Sequence, residues 1–414
     1  MATQGRSFDS VMGVFKDPET DWIFNRTLTF MSEKAAEIGE CLYAARRINE
    51  QDGKSWIREW AELASRVEAH AEEALAKGNI VSAREGYLRA TNYYRTAEYG
   101  TPPSHTQFDA LWEKSVDCFQ QACKLFNPPI QLIQVPFEGK ELPGYFWRPD
   151  DSGEKRPTLI AAGGNDSSLE EVVFWVGMAA VRHGYNFFTF EHPGHRGALH
   201  LFDDCFKRPD YEVPYKAGID YLETLPGTDE RIAMTGYSFG GYVTCRVAAH
   251  EKRLKAIVPN PPIIDAYQLF STDMRDSTVV KVLPTAIFES LAERGLSKSP
   301  MRYNLAKYTM MSFGTPELSW TEFAKFEAQR PFTVRDELHQ ITCPTLALVG
   351  GGEGYEMLNQ SQQFVDDIAA EKKRQHVFTL EQDGANDHCQ LDNRARSTQV
   401  MFDWLNEVFD YRYE

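Results

Sequence analysis

The chain has no Cys-x-x-Cys pair. Its seven cysteines, at 41, 118, 123, 205, 245, 343 and 389, are scattered and odd in number. That excludes a fully paired disulfide framework and fits reduced thiols in a cytosolic protein. No apolar run approaches the length of a membrane span. The opening residues, Met1 to Ser10, lack the apolar core of a signal peptide. The expectation is a cytoplasmic protein without membrane attachment. Positive charge is also in deficit: 44 Lys and Arg stand against 60 Asp and Glu, a net charge of −16. Such a surface repels phosphates and argues against nucleic acid and anionic membranes. There is no G-x-G-x-x-G, and Gly53-Lys54-Ser55 lacks the glycine five residues earlier that completes G-x-x-x-x-G-K-[ST], so no phosphate cradle is expected. Glu191, His192, His195 and His200 lie close in sequence, but no second ligand cluster accompanies them, so no metal or cofactor is expected. No internal repeat or low-complexity tract is present.

What is present divides into two regions. Residues 18–126 read as helical, with apolar residues at three- and four-residue spacing from Trp22 to Ala45, Trp56 to Leu75 and Ile80 to Tyr99. A further helix spans about Gln107 to Phe126, and Asn127-Pro128-Pro129 stops it. No strand is expected there. Beyond it the period changes to two in Ile130 to Val135 and Tyr145 to Arg148, joined through Glu138-Gly139-Lys140. Strands at 158–162, 186–190, 231–235, 255–258, 345–349 and 376–380 then alternate with helices near 169–183, 211–225, 242–250, 357–371 and 391–409. That alternation implies an α/β fold, a mostly parallel twisted sheet with helices on both faces. The expected division is a helical N-terminal cap over 1–126 and a catalytic domain over 127–414. Alternation pauses at about 261–336, an aromatic-rich insertion with helical patches near 265–293 and 319–329, expected to serve as a lid.

Gly236-Tyr237-Ser238-Phe239-Gly240-Gly241 carries the chemistry. It follows the strand Arg231 to Thr235 and opens the helix from Tyr242. A G-x-S-x-G between strand and helix is the nucleophile elbow of the α/β-hydrolase fold. A serine hydroxyl needs a base, and the base an orienting acid, in the chain order Ser, acid, His. After Ala347-Leu348-Val349 comes Gly350-Gly351-Gly352-Glu353. Glu353 is the best-placed acid and Glu356 a close rival. His388, in the loop between last strand and last helix, is the base. Asp383 and Asp387 shape that loop, as turn aspartates do. The oxyanion donors are the backbone N–H of Phe239 and one from Gly163-Gly164-Asn165-Asp166-Ser167, on Gly164 or Asn165. The aromatics Tyr87, Tyr93, Tyr94 and Tyr99, with Tyr267, Phe270, Phe288, Tyr303, Phe313 and Trp320, are candidates for an apolar pocket, core packing being the alternative. His192 is a candidate substrate contact at the pocket mouth.

Gly163 to Ser167, Phe190 to Gly197, Gly236 to Gly241, Asp383 to His388 and the helical stretch Gly78 to Arg95 together resemble one branch of the α/β-hydrolases. The branch comprises fungal yellowish-green-type polyketide-shortening hydrolases, FrsA-like proteins and 2,6-dihydroxypseudooxynicotine hydrolase. The resemblance runs from about residue 50 to the end. It implies a serine enzyme that hydrolyses a C–C bond beside a carbonyl, or an ester, in an aromatic or polyketide-like small molecule. It also implies a homodimer. Glu353 departs from the aspartate common in the wider fold. An additional acid of the nicotine-degrading type has Asp265 as its candidate here, a helix-starting aspartate being the alternative. An acyltransferase or cyclisation catalyst with the same serine, and a non-enzymatic FrsA-like regulatory binding protein, are the competing functions.

Overall fold

The computed structural model describes residues 6–7, 12–269, 284–329 and 332–413. Eight strands form one sheet: β1 Gln131–Phe137, β2 Lys140–Trp147, β3 Arg156–Ala162, β4 Asn186–Phe190, β5 Thr228–Tyr237, β6 Leu254–Asn260, β7 Thr345–Gly350 and β8 Lys373–Phe378. Their spatial order is β1-β2-β4-β3-β5-β6-β7-β8. The β1–β2 and β2–β4 pairs are antiparallel, and all others are parallel. β3, β4 and β7 are buried along their whole length, as parallel strands covered on both faces must be. Successive side chains point to opposite faces. Leu159 and Ala161 of β3 join one core with the N-terminal helices, and Ile160 and Ala162 join the other.

The first core lies under α1 Pro18–Leu28, α2 Ile38–Ala45, α3 Gly53–Ala76, α4 Ile80–Tyr99 and α5 Phe108–Lys124. Trp56, Trp60, Phe24 and Tyr93 pack there ring against ring. The continuous helix expected from Trp22 to Ala45 is broken. A 3-10 turn over Thr29–Glu33 ends at Lys34 in the left-handed region, and α2 starts afresh at Ile38. The break lets Glu33 reach inward to Arg182 and Arg394.

Three short helices flank the strands that follow: α6 Leu169–Val172, continued through a π turn into α7 Met178–Arg182, and then α8 Arg196–Leu201. The second core gathers α9 Glu212–Leu222 and α10 Phe239–His250. Between β6 and β7 the described residues form α11 Thr285–Leu296, α12 Pro300–Ser312 and α13 Trp320–Gln329. α12 was not expected. Its signal is Ser299-Pro300, a capping serine before a proline at the first helical position. After β7, α14 Tyr355–Asp367 and α15 Arg394–Phe409 complete the layers. The expected helix to 371 stops at Asp367. The expected strand to Leu380 stops at Phe378.

Below the sheet edge, Tyr145 of β2 donates to Glu170 Oε1 at 2.8 Å. Burial, and then the nearby Glu191 carboxylate, push Glu170 up to about 7. The native chain therefore keeps this proton across the range from about 4.5 to about 7, where an unfolded glutamate has lost it. Stability must fall as pH rises through that window and level off above it. Glu170→Gln removes this dependence while keeping the bond to Tyr145. Relative to the unaltered chain, the variant should gain on the order of 3 kcal/mol on going from pH 5 to pH 8. Urea unfolding at the two pH values measures it. An equal stability difference at both would contradict the assignment.

Candidate active site

Ser238 stands where β5 turns into α10, with φ 55° and ψ −121°. Three glycines make the turn possible. A Cβ on Gly236 would lie 1.9 Å from the Gly240 carbonyl oxygen. One on Gly240 would lie 2.5 Å from Ala162 O, and one on Gly241 1.8 Å from Pro261 O. Only glycine allows such approach, so the serine is held in a strained, left-handed conformation by packing on every side. Its backbone N–H donates to Asn260 O at 2.9 Å.

Glu353 and His388 come from the loops after β7 and β8, adjacent strands of the sheet. His388 Nδ1 lies 2.6 Å from Glu353 Oε2. The Glu353 side chain is 1% exposed and also accepts the Gly350 N–H at 3.0 Å. Glu356 instead accepts from Gln360 Nε2 at 2.9 Å. Burial opposes charge on the imidazole. The Cys389 thiol and the Glu353 carboxylate beside it outweigh burial and raise His388 well above the ordinary imidazole value. Ser238, His388 and Cys389 line one crevice. Among the described residues the Ser238 hydroxyl makes no hydrogen bond, and the imidazole lies against the Cys389 thiol.

The loop carrying His388 is strapped from the N-terminal side. Asp387 Oδ1 accepts the His388 N–H at 2.6 Å and Arg6 Nη2 at 2.7 Å. Asp387 Oδ2 accepts Trp22 Nε1 at 2.8 Å. The Ser7 N–H donates to Gly352 O at 2.8 Å. Asp387 thus shapes the loop, as a turn aspartate should. Asp383 does the same through Arg396, at 3.0 Å, and the Thr379 N–H, at 3.2 Å.

On the other side of Ser238 runs the 163–167 loop. The Gly164 N–H donates to Ser167 Oγ at 3.0 Å and is engaged there. Asn165 is held by its side chain, which donates to Thr309 Oγ1 at 3.1 Å and accepts from Lys207. Phe239 is the first residue of α10, where N–H groups have no partner within the helix. A Cβ on Gly163 would meet His195 Nε2 at 2.2 Å, so that imidazole, paired with Glu191 through Nδ1, backs the loop directly.

The remaining crevice wall is Trp22, Arg26, Asp166, Glu171, Val172, Trp175 and Tyr237. Arg26 donates Nε and Nη2 to the two oxygens of Glu171, at 2.7 and 2.6 Å, and Nη1 to Asp166 Oδ2 at 2.9 Å. Tyr99 donates to the same Asp166 oxygen at 2.8 Å. Burial alone would raise Asp166, but Arg26, the Tyr99 hydroxyl and Arg196 hold it well below the usual carboxylate range. About 410 Å³ between these side chains is free of atoms, but only about 30 Å³ admits the centre of a water-sized sphere. A ring-sized ligand therefore has to displace wall side chains.

Several expected site residues lie elsewhere. Tyr94 donates to Glu68 at 2.6 Å within the helical layer. Asp265 accepts the Gln268 N–H at 3.1 Å and pairs with Arg335 at 3.4 Å, the behaviour of a helix-starting aspartate. His192 is buried behind the crevice wall, against the Gly163 backbone and with Nδ1 on Pro193 O at 3.2 Å, and does not line the crevice. Tyr87, Tyr93, Phe313 and the Tyr303–Trp320 pair pack among neighbouring helices and do not line the crevice. Phe270 lies outside the described residues. The sequence reading missed Trp22, Arg26 and Trp175. The available signal for Arg26 was an arginine four residues after Trp22, on the apolar face of α1.

The esterase FrsA-like family model matches residues 44–316. The chain is 31% identical over 363 residues to the alpha/beta hydrolase xenA of Xenoacremonium sinensis, covering 81% of this chain and 82% of that one. It is 27% identical over 427 residues to the 20-hydroxy-prefusarin hydrolase FUS2 of Gibberella moniliformis, covering 96% and 98%. The solved structure of 2,6-dihydroxy-pseudo-oxynicotine hydrolase superposes with a TM-score of 0.70 at 22% identity, over 92% of this chain and 95% of that one. The fold is that of the α/β-hydrolases. With a serine at the elbow and hydrolases as its relatives, this chain belongs to the FrsA-like esterase family and is an α/β-hydrolase enzyme.

Proposed function

We propose that Ser238, His388 and Glu353 act together to hydrolyse an ester, or a C–C bond beside a carbonyl, in an aromatic or polyketide-like small molecule. The observation that carries this reading is the 2.6 Å Glu353–His388 contact on the wall of the crevice that also holds the strained Ser238. A carboxylate on Nδ1 fixes the tautomer that leaves Nε2 as the base. In this reading the imidazole exchanges Cys389 for Ser238 when substrate binds, as catalytic contacts commonly tighten only then.

In the proposed sequence Ser238 Oγ bonds to the substrate carbonyl carbon and its proton passes to His388 Nε2. The N–H groups of Phe239 and Asn165 receive the oxyanion, with Gly164 contributing only if Ser167 turns away. Collapse breaks the bond to the leaving carbon or oxygen, which takes the electron pair and the proton from His388. Water, deprotonated by His388, then releases the acyl group. A carbon leaving group departs readily only where its charge is delocalised, which favours aromatic ketones and 1,3-dicarbonyls. Trp22, Trp175 and Tyr237 offer ring faces to such a substrate. In this reading residues 1–126 form the cap, 127–414 the catalytic unit, and about 261–336 a lid. The enzyme works in the cytoplasm as a homodimer.

Two measurements test the assignment. Ser238→Ala should lower kcat at least roughly 10³-fold without moving the unfolding midpoint. Undiminished turnover would contradict the scheme. The base must be neutral to accept a proton, so kcat/KM should rise with pH along a limb above the ordinary imidazole value of about 6.5. Glu353→Gln removes the charge that raises it. That limb should then move down, and kcat should fall roughly 10³- to 10⁴-fold. A limb that stays in place would show that Glu353 is not the partner of the base.

A further inference from the structure

The wall of the crevice that Ser238 lines contains a donor and an acceptor side by side. Arg26 carries five N–H donors. Three are engaged, by Glu171 twice and Asp166 once, which leaves two. Asp166 uses Oδ2 for both Arg26 and Tyr99, and among the described residues Oδ1 accepts no hydrogen bond. Both side chains line the crevice. Arg95 pairs with Glu171 at 3.3 Å. Arg196, which also faces Asp166, is itself paired with Glu98, so three arginines and three carboxylates balance and the cluster has no net charge to offer an anion. Among the lining residues Arg26 is the only lysine or arginine, and aromatic faces surround it: Trp22 and Tyr99, each with its centroid 5.5 Å from the guanidinium carbon.

A neutral ligand satisfies such a pair with one atom. A hydroxyl donates its proton to Asp166 Oδ1 while its oxygen accepts from Arg26. A carboxylate cannot donate, and an ether cannot donate either. We propose that Arg26 and Asp166 are specificity-determining residues that read a ring hydroxyl, so that the preferred substrates are hydroxylated aromatic compounds whose phenol is bound at this pair. The proposal rests on the reading that the crevice is the substrate site. It assigns a role to α1, which lies outside the stretch matched by the family model. The rigidity is already present: Glu171 grips one edge of the guanidinium through Nε and Nη2, and Tyr99 holds the Asp166 carboxylate through Oδ2, leaving Oδ1 to a ligand. Sites built to hydrogen-bond a hydroxyl reject the analogue without it, because their own groups are left unpaired.

The test uses binding, so that it does not depend on turnover. In the Ser238→Ala chain, quenching of tryptophan fluorescence reports ring binding, since Trp22 and Trp175 line the crevice. The probes are 3′- and 4′-hydroxyacetophenone against their methoxy ethers, at a pH where the phenols are neutral. At least one phenol should bind about tenfold or more tightly than its ether. In Ser238→Ala/Asp166→Asn that preference should fall to within about threefold. Equal binding of phenol and ether overturns the proposal, as does a preference that survives Asp166→Asn or a failure of every ring to bind. If the Asp166 variant does not fold, Ser238→Ala/Arg26→Lys is judged by the same criterion. An unaltered enzyme without hydrolytic activity would instead contradict the proposed function, whatever the probes show.

Discussion

The conformation of one residue organises this molecule. Ser238 sits at positive φ just past the end of β5, held there by close backbone packing around the turn. The Gly236, Gly240 and Gly241 positions each abut a backbone oxygen too closely for a side chain. β3 delivers the 163–167 loop to one side of the serine, and β7 and β8 deliver Glu353 and His388 to the other. Strain of this kind costs on the order of 1–3 kcal/mol and persists only where surrounding packing over-determines it. Here two cores, one on each sheet face, supply that packing.

The helical layer does more than cover the sheet. Trp22 holds the His388 loop through Asp387, and Arg26 holds the 163–167 loop through Asp166. One turn of α1 therefore touches both halves of the site, while Arg196 ties α8 to Glu98 of α4. These ion pairs are buried, and removing one member would strand a charge in a low-dielectric interior. Such pairs fix geometry more surely than they add stability. The crevice they frame is narrow, and side-chain motion at Trp22 would open it and disturb the His388 loop together.

Much of this was legible in the sequence because it rests on local signals. The elbow glycines, the order Ser238, Glu353, His388, and the alternation of apolar strands with helices are each confined to a few residues. Chain order left Glu353 and Glu356 as rival candidates for the acid, and only the folded chain shows that Glu353 meets His388 while Glu356 meets Gln360. What was not legible depends on long-range pairing. Nothing local says that Arg26 meets Asp166, 140 positions away. Tyr94 and Asp265 carry types suited to a site, but their partners, Glu68 and Arg335, hold them in the helical layer and at a helix start. The helix expected through 45 failed for a similar reason. Its periodicity was real, but Glu33 is drawn inward by arginines from 182 and 394.

The central claim is that the hydroxyl of Ser238 is the activated nucleophile of this protein. Treatment with a fluorophosphonate, followed by proteolysis and mass spectrometry of the peptides, tests it most directly. The account predicts a single covalent adduct on the peptide containing Ser238, lost when His388 is replaced by alanine. An unlabelled Ser238 in folded protein, or an adduct confined to another residue, would contradict it.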